Sequence, residues 1–265
     1  MDGAAGMRHA RGVPLDTTNQ FLRTVAVVRE RIADPAAYPF ALPVVRALVD
    51  APIALAPVTY FVGENGSGKS TLLEAVAVAT GFNAEGGTKN FAFATRRSES
   101  PLHQALRLGR GARRPRTGFF LRAESFFNVA TEIERMDREP SFGPPVIDSY
   151  GGRSLHEQSH GESFLSLFLH RFGPEGLYLL DEPEAALSPA RQLTFLVRMH
   201  DLVREGCQFL VATHSPIVLA YPGAKILRAS ADGLEETSYD EAEPVTVMRE
   251  FLGNRERYVA RLLGG

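Results

Sequence analysis

Tryptophan is absent from this 265-residue chain, and cysteine occurs once, at Cys207. A single thiol excludes a disulfide framework or a cysteine-built zinc site within one chain, and a reducing cytoplasm is the expected compartment. Lysine is scarce as well: Lys69, Lys89 and Lys225 stand against 26 arginines. No apolar run approaches the roughly 18–20 residues that cross a bilayer, and the start, MDGAAGMRHARG, lacks the apolar core of a secretory signal. The chain therefore reads as soluble, without direct membrane insertion. An excess of one charge is also missing. With 29 basic and 31 acidic residues the net charge is -2, which excludes a generally basic nucleic-acid coat protein but leaves a local basic face open. What is present, 44% hydrophobic residues over this length, suits one large α/β domain or two small ones.

Residues 1–19 are small, polar and broken by Gly and Pro, a flexible tail by expectation, and residues 20–265 read as one domain. Phe21 to Ile32 alternates apolar residues with Arg and Thr, as a strand or an edge hairpin does. Pro35, Pro39, Pro43, Pro52 and Pro57 exclude a long helix in the next stretch. Pro57–Val62 reads as a buried strand, followed by a glycine-rich turn and an apolar helix over Thr71–Ala79. Between Gly81 and Gly118, Arg96, Arg97, Arg107, Arg110, Arg113, Arg114 and Arg116 face only two acids, Glu85 and Glu99, so a basic and poorly structured insert is expected at about 82–117.

Further on, strands are predicted over Gly118–Ala123, Leu177–Leu180 and Cys207–Ala212. Helices are predicted over Ser125–Arg138, Phe164–Phe172 and Ala190–Glu205, the last with Leu193, Leu196, Val197 and Val203 inward. Asp232-Gly233 marks a hairpin, and Val245–Leu263 has a helical period. Strands alternating with helices predict an α/β fold with a mostly parallel sheet covered on both faces and an antiparallel β portion toward the N-terminus.

The most specific signal is Gly63-Glu64-Asn65-Gly66-Ser67-Gly68-Lys69-Ser70, which fits G-x-x-x-x-G-K-[ST], the Walker A phosphate loop. Its glycines let backbone N–H groups turn around phosphate oxygens. Lys69 brings a point charge to the β/γ-phosphates, the Ser70 hydroxyl can ligate Mg²⁺, and the helix from Thr71 directs its N-terminal partial charge at the same anion. Leu177–Leu180 then leads into Asp181 and Glu182, two carboxylates at a strand mouth, a Walker B pattern. There Asp181 would hold Mg²⁺ and Glu182 would polarise the attacking water.

Three further segments extend the pattern. Ser159-His160-Gly161-Glu162-Ser163 lies 22 residues before Asp181; Ala185-Ala186-Leu187-Ser188-Pro189 follows the acids; Thr213-His214-Ser215-Pro216 follows the last buried strand. Their order and spacing, over about Tyr60 to Ile217, resemble the ABC-type ATPase superfamily. The likeness is to its non-transporter branch: chromosome-maintenance heads, RecF-like and OLD-family ATPases, and small bacterial ATPases. The resemblance implies that Ser159, His160, Gly161 and Glu162 form the signature that contacts the γ-phosphate held by the opposite subunit. It also implies that 185–189 is the D-loop and that His214 is the switch histidine.

Departures are visible. The signature reads SHGES where LSGGQ is usual, with His160 in place of a glycine. The Q-loop position holds Glu124 rather than Gln, and a carboxylate there would take a Mg²⁺-bound water, with a helix cap as the alternative. Tyr38 and Phe40 are candidates for an aromatic that stacks on the base, or for core packing.

The resemblance further implies ATP and Mg²⁺ as cofactors, with catalysis by Lys69, Glu182 and His214. Two chains are expected to face each other head to tail around two nucleotides. Only 88 residues separate Ser70 from Ser159, without heptads, so no coiled-coil arm is expected. Three readings stay open: a stand-alone ATPase acting with nucleic acid or a nuclease through the Arg96–Arg116 region; the nucleotide-binding subunit of a membrane transporter; and a regulatory module that binds ATP without useful turnover.

Overall fold

The computed structural model describes residues 20–88, 100–123, 126–138 and 144–264. The expected tail, Arg96, Arg97 and Glu124 lie outside the described residues. Along the chain run β1 (Leu22–Val27), α1 (Pro43–Asp50), β2 (Ile53–Ala54), β3 (Val58–Val62), α2 (Lys69–Ala79) and α3 (Leu102–Ala105). Then come β4 (Leu106–Arg110), β5 (Thr117–Arg122), α4 (Phe126–Arg138), α5 (His160–Ser166), β6 (Gly176–Asp181) and α6 (Pro189–Arg204). The chain closes through β7 (Gln208–Ala212), α7 (Pro216–Leu219), β8 (Lys225–Ser230), β9 (Gly233–Thr237), α8 (Glu243–Gly253) and α9 (Arg255–Leu263). None of the described helices is long and apolar enough to cross a membrane.

The principal sheet has the order β5-β6-β7-β3-β8-β9. Its first five strands are parallel and β9 is antiparallel, closing the Asp232-Gly233 hairpin. Side-chain alternation divides each central strand between two cores. Tyr60, Leu121, Tyr178, Leu180 and Val211 pack with Ile133, Phe164, Phe195 and Val218 from α4, α5, α6 and α7. Phe61, Phe120, Leu179 and Leu210 face the other way, onto Val44 and Leu48 of α1 and Leu72 and Val76 of α2. Covering both faces is what permits five parallel strands to read as almost unbroken apolar runs.

A second, antiparallel sheet, β2-β1-β4, lies on the side of α1 and α2. Gln208 joins the two sheets: its buried amide accepts from the Phe21 and Leu22 N–H groups and donates to the Leu22 and Ala56 carbonyls. Cys207 begins this strand region as a buried free thiol. Burial pushes its pKa up to about 11, so at neutral pH it is protonated and unreactive.

Several sequence expectations need correction. β1 is the middle strand of its sheet, not an edge, and ends at Val27. Part of the expected basic insert is regular structure: α3 and β4 lie within it, and β4 pairs with β1 from Leu106 to Arg110. Phe164–Phe172 is not one α-helix, because α5 passes into π-helical turns over Leu167–Arg171. In α6 the inward residues are Phe195, Met199 and Leu202, whereas Leu193 and Val197 are 57% and 66% exposed. Leu196 and Val203 do pack against the core as expected.

Candidate nucleotide site

The functional candidates meet because strand registers align at the C-terminal edge of the parallel sheet. Ala212 of β7 is level with Phe61 of β3 on one side and Asp181 of β6 on the other. The residues immediately beyond these three positions are the phosphate loop, Glu182 and the Thr213–Ser215 turn. In open α/β sheets this edge is where ligands bind.

The loop itself is held open by close packing. Gly63 has φ +140°, and a Cβ there would stand 2.2 Å from the Ala229 carbonyl oxygen, so only glycine fits. Lys69 is 5% exposed and donates from Nζ to the Gly63 and Glu64 carbonyls at 2.6 and 2.8 Å. Burial pushes its pKa down, against the opposing pull of Glu182, Asp181 and Glu184.

The Ser70 hydroxyl donates to Asp181 Oδ1 at 2.9 Å. Two hard oxygen donors side by side suit Mg²⁺, which binds through one or two protein oxygens plus phosphates and water, not in a full protein cage. Among the described residues no cluster of three or more His, Cys, Asp or Glu side chains is arranged for a metal. Beside the pair, Arg122 at the end of β5 bonds Glu74 at 2.8 Å and brings Nε to 3.8 Å from Asp181 Oδ2. Arg122 and Glu74 were missed in the sequence, where they belong to no contiguous motif.

Glu182 adopts left-handed backbone angles, φ 52° and ψ 53°, uncommon for a residue with a Cβ. Its N–H is fastened to the Ala212 carbonyl at 2.9 Å. This turns its side chain out of β6 into a cleft of about 200 Å³ lined also by Asn65, Gly66, Gly68, Lys69, Ser70, Thr71 and Tyr38. His214 Nε2 is 3.8 Å from Glu182 Oε1. The two aromatic candidates separate cleanly. Phe40 is 7% exposed and belongs to the core. Tyr38 is 67% exposed, and its hydroxyl is 3.1 Å from Thr71 Oγ1.

The signature segment is built as a capped turn elsewhere. Ser159 precedes α5 in a capping box: its N–H and hydroxyl both donate to Glu162 Oε2, at 3.1 and 2.7 Å. These bonds hold the Glu162 carboxyl below its ordinary range, and Arg191 approaches it at 3.5 Å. Neither Ser159, Gly161 nor Glu162 lines the phosphate-loop cleft; Glu162 borders a separate groove of about 360 Å³.

A Cβ on Gly161 would stand 2.5 Å from Arg191 Nη1 and 2.7 Å from the Ala186 carbonyl oxygen. Gly161→Ala must therefore separate the signature turn from the D-loop, an overpacking cost of about 1–3 kcal/mol. MgATP affinity of the phosphate loop is expected to hold within a factor of about two, while turnover falls at least about tenfold, the equivalent of 1.4 kcal/mol. Nucleotide titration and phosphate release check the two separately.

Residues 146–220, from the signature through His214, match the family model described as "AAA domain, putative AbiEii toxin, Type IV TA system". Residues 47–120, around the phosphate loop, match a second model described as "AAA domain". Both matched segments are similar to AAA-type P-loop ATPase models.

Among solved structures, this chain is similar to the ADP conformation of an ATP-binding cassette of an ABC transporter. They share 18% identity over 89% of this chain and 99% of that one, with a TM-score of 0.49. A nucleotide-free cassette from an ABC transporter gives 18% identity over 89% and 96%, TM-score 0.47. The SMC head domain from Thermotoga maritima gives 17% over 71% and 92%, TM-score 0.37. Among curated proteins none matches the sequence.

Proposed function

We propose that the chain hydrolyses ATP with Mg²⁺ and does so as a head-to-tail pair of copies. The supporting observation is a cleft lined by the phosphate loop and Glu182, with Asp181 bonded to Ser70 and His214 Nε2 3.8 Å from Glu182 Oε1. In this reading the loop N–H groups and Lys69 take the phosphates, and the base stacks on Tyr38. Ser70 and Asp181 would hold the metal, with Glu124 assigned to one of its waters; Mg²⁺ would supply positive charge to offset what develops on the phosphates. Glu182 orients the attacking water and accepts its proton. His214 stands beside that carboxylate at the γ-phosphate.

Pairing rests on what the cleft lacks. At about 200 Å³ it is smaller than an ordinary small-molecule pocket of roughly 300–1,000 Å³, and Ser159, Gly161 and Glu162 do not line it. Ser159, His160, Gly161 and Glu162 of a second copy would cover the exposed γ-phosphate. ATP would then shift an open/closed equilibrium toward the pair, and hydrolysis would release it. Light scattering and phosphate release on the wild type test this. Twice the monomer mass in MgATP, with phosphate released, is expected; a monomer that releases no phosphate at saturating MgATP rejects it.

The arginine-rich sequence from Arg96 to Arg116 is the stretch we assign to a nucleic-acid partner. Residues 100–117 hold five arginines and no acid. Arg113 and Arg116 pair with Glu175, and Arg110 donates to the Ala79 carbonyl. Arg107 and Arg114 stay exposed. Binding that weakens steeply with salt supports the assignment; unchanged gel mobility at low salt removes it.

A further inference from the structure

Glu184, two residues after the proposed base, belongs to none of the motifs, yet it makes a contact that bears on the reaction. Its Oε1 accepts the main-chain N–H of His214 at 2.5 Å, across 30 residues of sequence. Its Oε2 is buried without a hydrogen bond.

The switch turn shows why this contact matters. Thr213 N–H still belongs to the sheet, donating to the Phe61 carbonyl. Ser215 N–H donates to the Thr213 side chain. Between them, His214 N–H has passed the end of the sheet and, among the described residues, donates to Glu184. Among the described residues His214 Nε2 has no hydrogen-bond partner, so the backbone contact is the one that holds this residue to the 183–186 turn.

Glu184 is itself tightly placed. It sits in the 3-10 turn Pro183–Ala186, closed by the Ala185 N–H on the Glu182 carbonyl and the Leu187 N–H on the Glu184 carbonyl. One short turn thus carries both Glu182 and the group that holds His214. A second tie lies beside it: the Ser215 hydroxyl donates to Gln192 Oε1 at 2.6 Å, and Gln192 Nε2 donates to the Leu187 carbonyl at 3.0 Å.

We propose that Glu184 is a positioning residue for hydrolysis, clamping the His214 backbone so that the imidazole keeps its distance from Glu182. The proposal rests on the ATPase reading above. A charge-assisted N–H to carboxylate bond is about twice as strong as a neutral one, enough to hold a turn with no sheet partner of its own.

The experiment compares wild type, Glu184→Ala and Glu184→Gln for kcat, KM, MgATP affinity and amide hydrogen exchange of the 212–217 segment. Glu184→Ala should lose at least about tenfold in kcat (about 1.4 kcal/mol) with KM and nucleotide affinity within about twofold, and His214 exchange should quicken. Glu184→Gln keeps an acceptor oxygen, so it should recover kcat to within about threefold and restore protection. A merely structural role would lower melting temperature without this split.

Wild-type kcat in Glu184→Ala, or Glu184→Gln as impaired as Glu184→Ala, overturns the positioning role while leaving the ATPase reading intact. If Glu184→Ala does not fold, unchanged protection and kcat in Glu184→Lys, which has no acceptor, overturns it equally. A wild type without turnover removes both.

Discussion

Glu182→Gln should bind MgATP, double its mass and almost cease to release phosphate. The substitution keeps the shape of a side chain that projects from a strained left-handed backbone position into the cleft, so folding and nucleotide binding should persist. What disappears is the carboxylate that orients water and takes its proton, a contribution of about 10²–10⁴ in rate. Because the Ser70–Asp181 oxygen pair and Lys69 are untouched, the metal and phosphates are still held. ATP then keeps the two copies together with no hydrolysis to release them. Single-turnover phosphate release and light scattering read the two effects independently. A variant that stays monomeric at saturating MgATP would show that the pairing proposal is wrong, and one with wild-type turnover would remove Glu182 as the base.

Lys69→Ala should bind MgATP far more weakly and fail to pair. The ammonium is 5% exposed and held on the Gly63 and Glu64 carbonyls, inside the loop that would receive the phosphates. Removing one partner of a buried, hydrogen-bonded charge contact costs about 2–5 kcal/mol, which is about 30- to several-thousandfold in affinity at 1.4 kcal/mol per tenfold. Titration with a fluorescent nucleotide measures this directly.

A pH signature accompanies the loss. Burial lowers the Lys69 pKa, so the free protein gives up this proton at a lower pH than an ordinary lysine. Wild-type affinity should therefore decline as pH rises through that lowered value, and the Lys69→Ala protein should lack this decline. Affinity retained in Lys69→Ala would remove the lysine from phosphate binding.

Most strands were legible because a buried parallel strand is a short apolar run with a sharp end. Leu177–Leu180 and Cys207–Ala212 became β6 and β7 with boundary shifts of at most one residue. α4 was legible for the complementary reason, since Phe126, Ala130 and Ile133 repeat on one face and all three are buried. α6 was misread because apolar residues occupy two faces: Leu193 and Val197 on one, Phe195, Met199 and Leu202 on the other. A hydrophobic period shows that a helix is amphipathic but cannot choose between two apolar stripes. The packing of Phe195 against Phe168, with ring centroids 4.4 Å apart, makes that choice.

Contiguous chemistry was determined by the sequence alone. The eight residues Gly63–Ser70, the acids Asp181 and Glu182, and His214 after its strand can be read without coordinates, because each function needs adjacent residues on one loop or strand end. Only the tertiary structure decided what joins segments far apart in the chain. It set Ser70 against Asp181 across 111 positions, put Tyr38 in the cleft and Phe40 in the core, and made Gln208 the link between the sheets. It also gave His214 its hold on Glu184. These pairings depend on strand order and register, which bring the ends of β3, β6 and β7 level, and neither is a property of any local stretch of sequence.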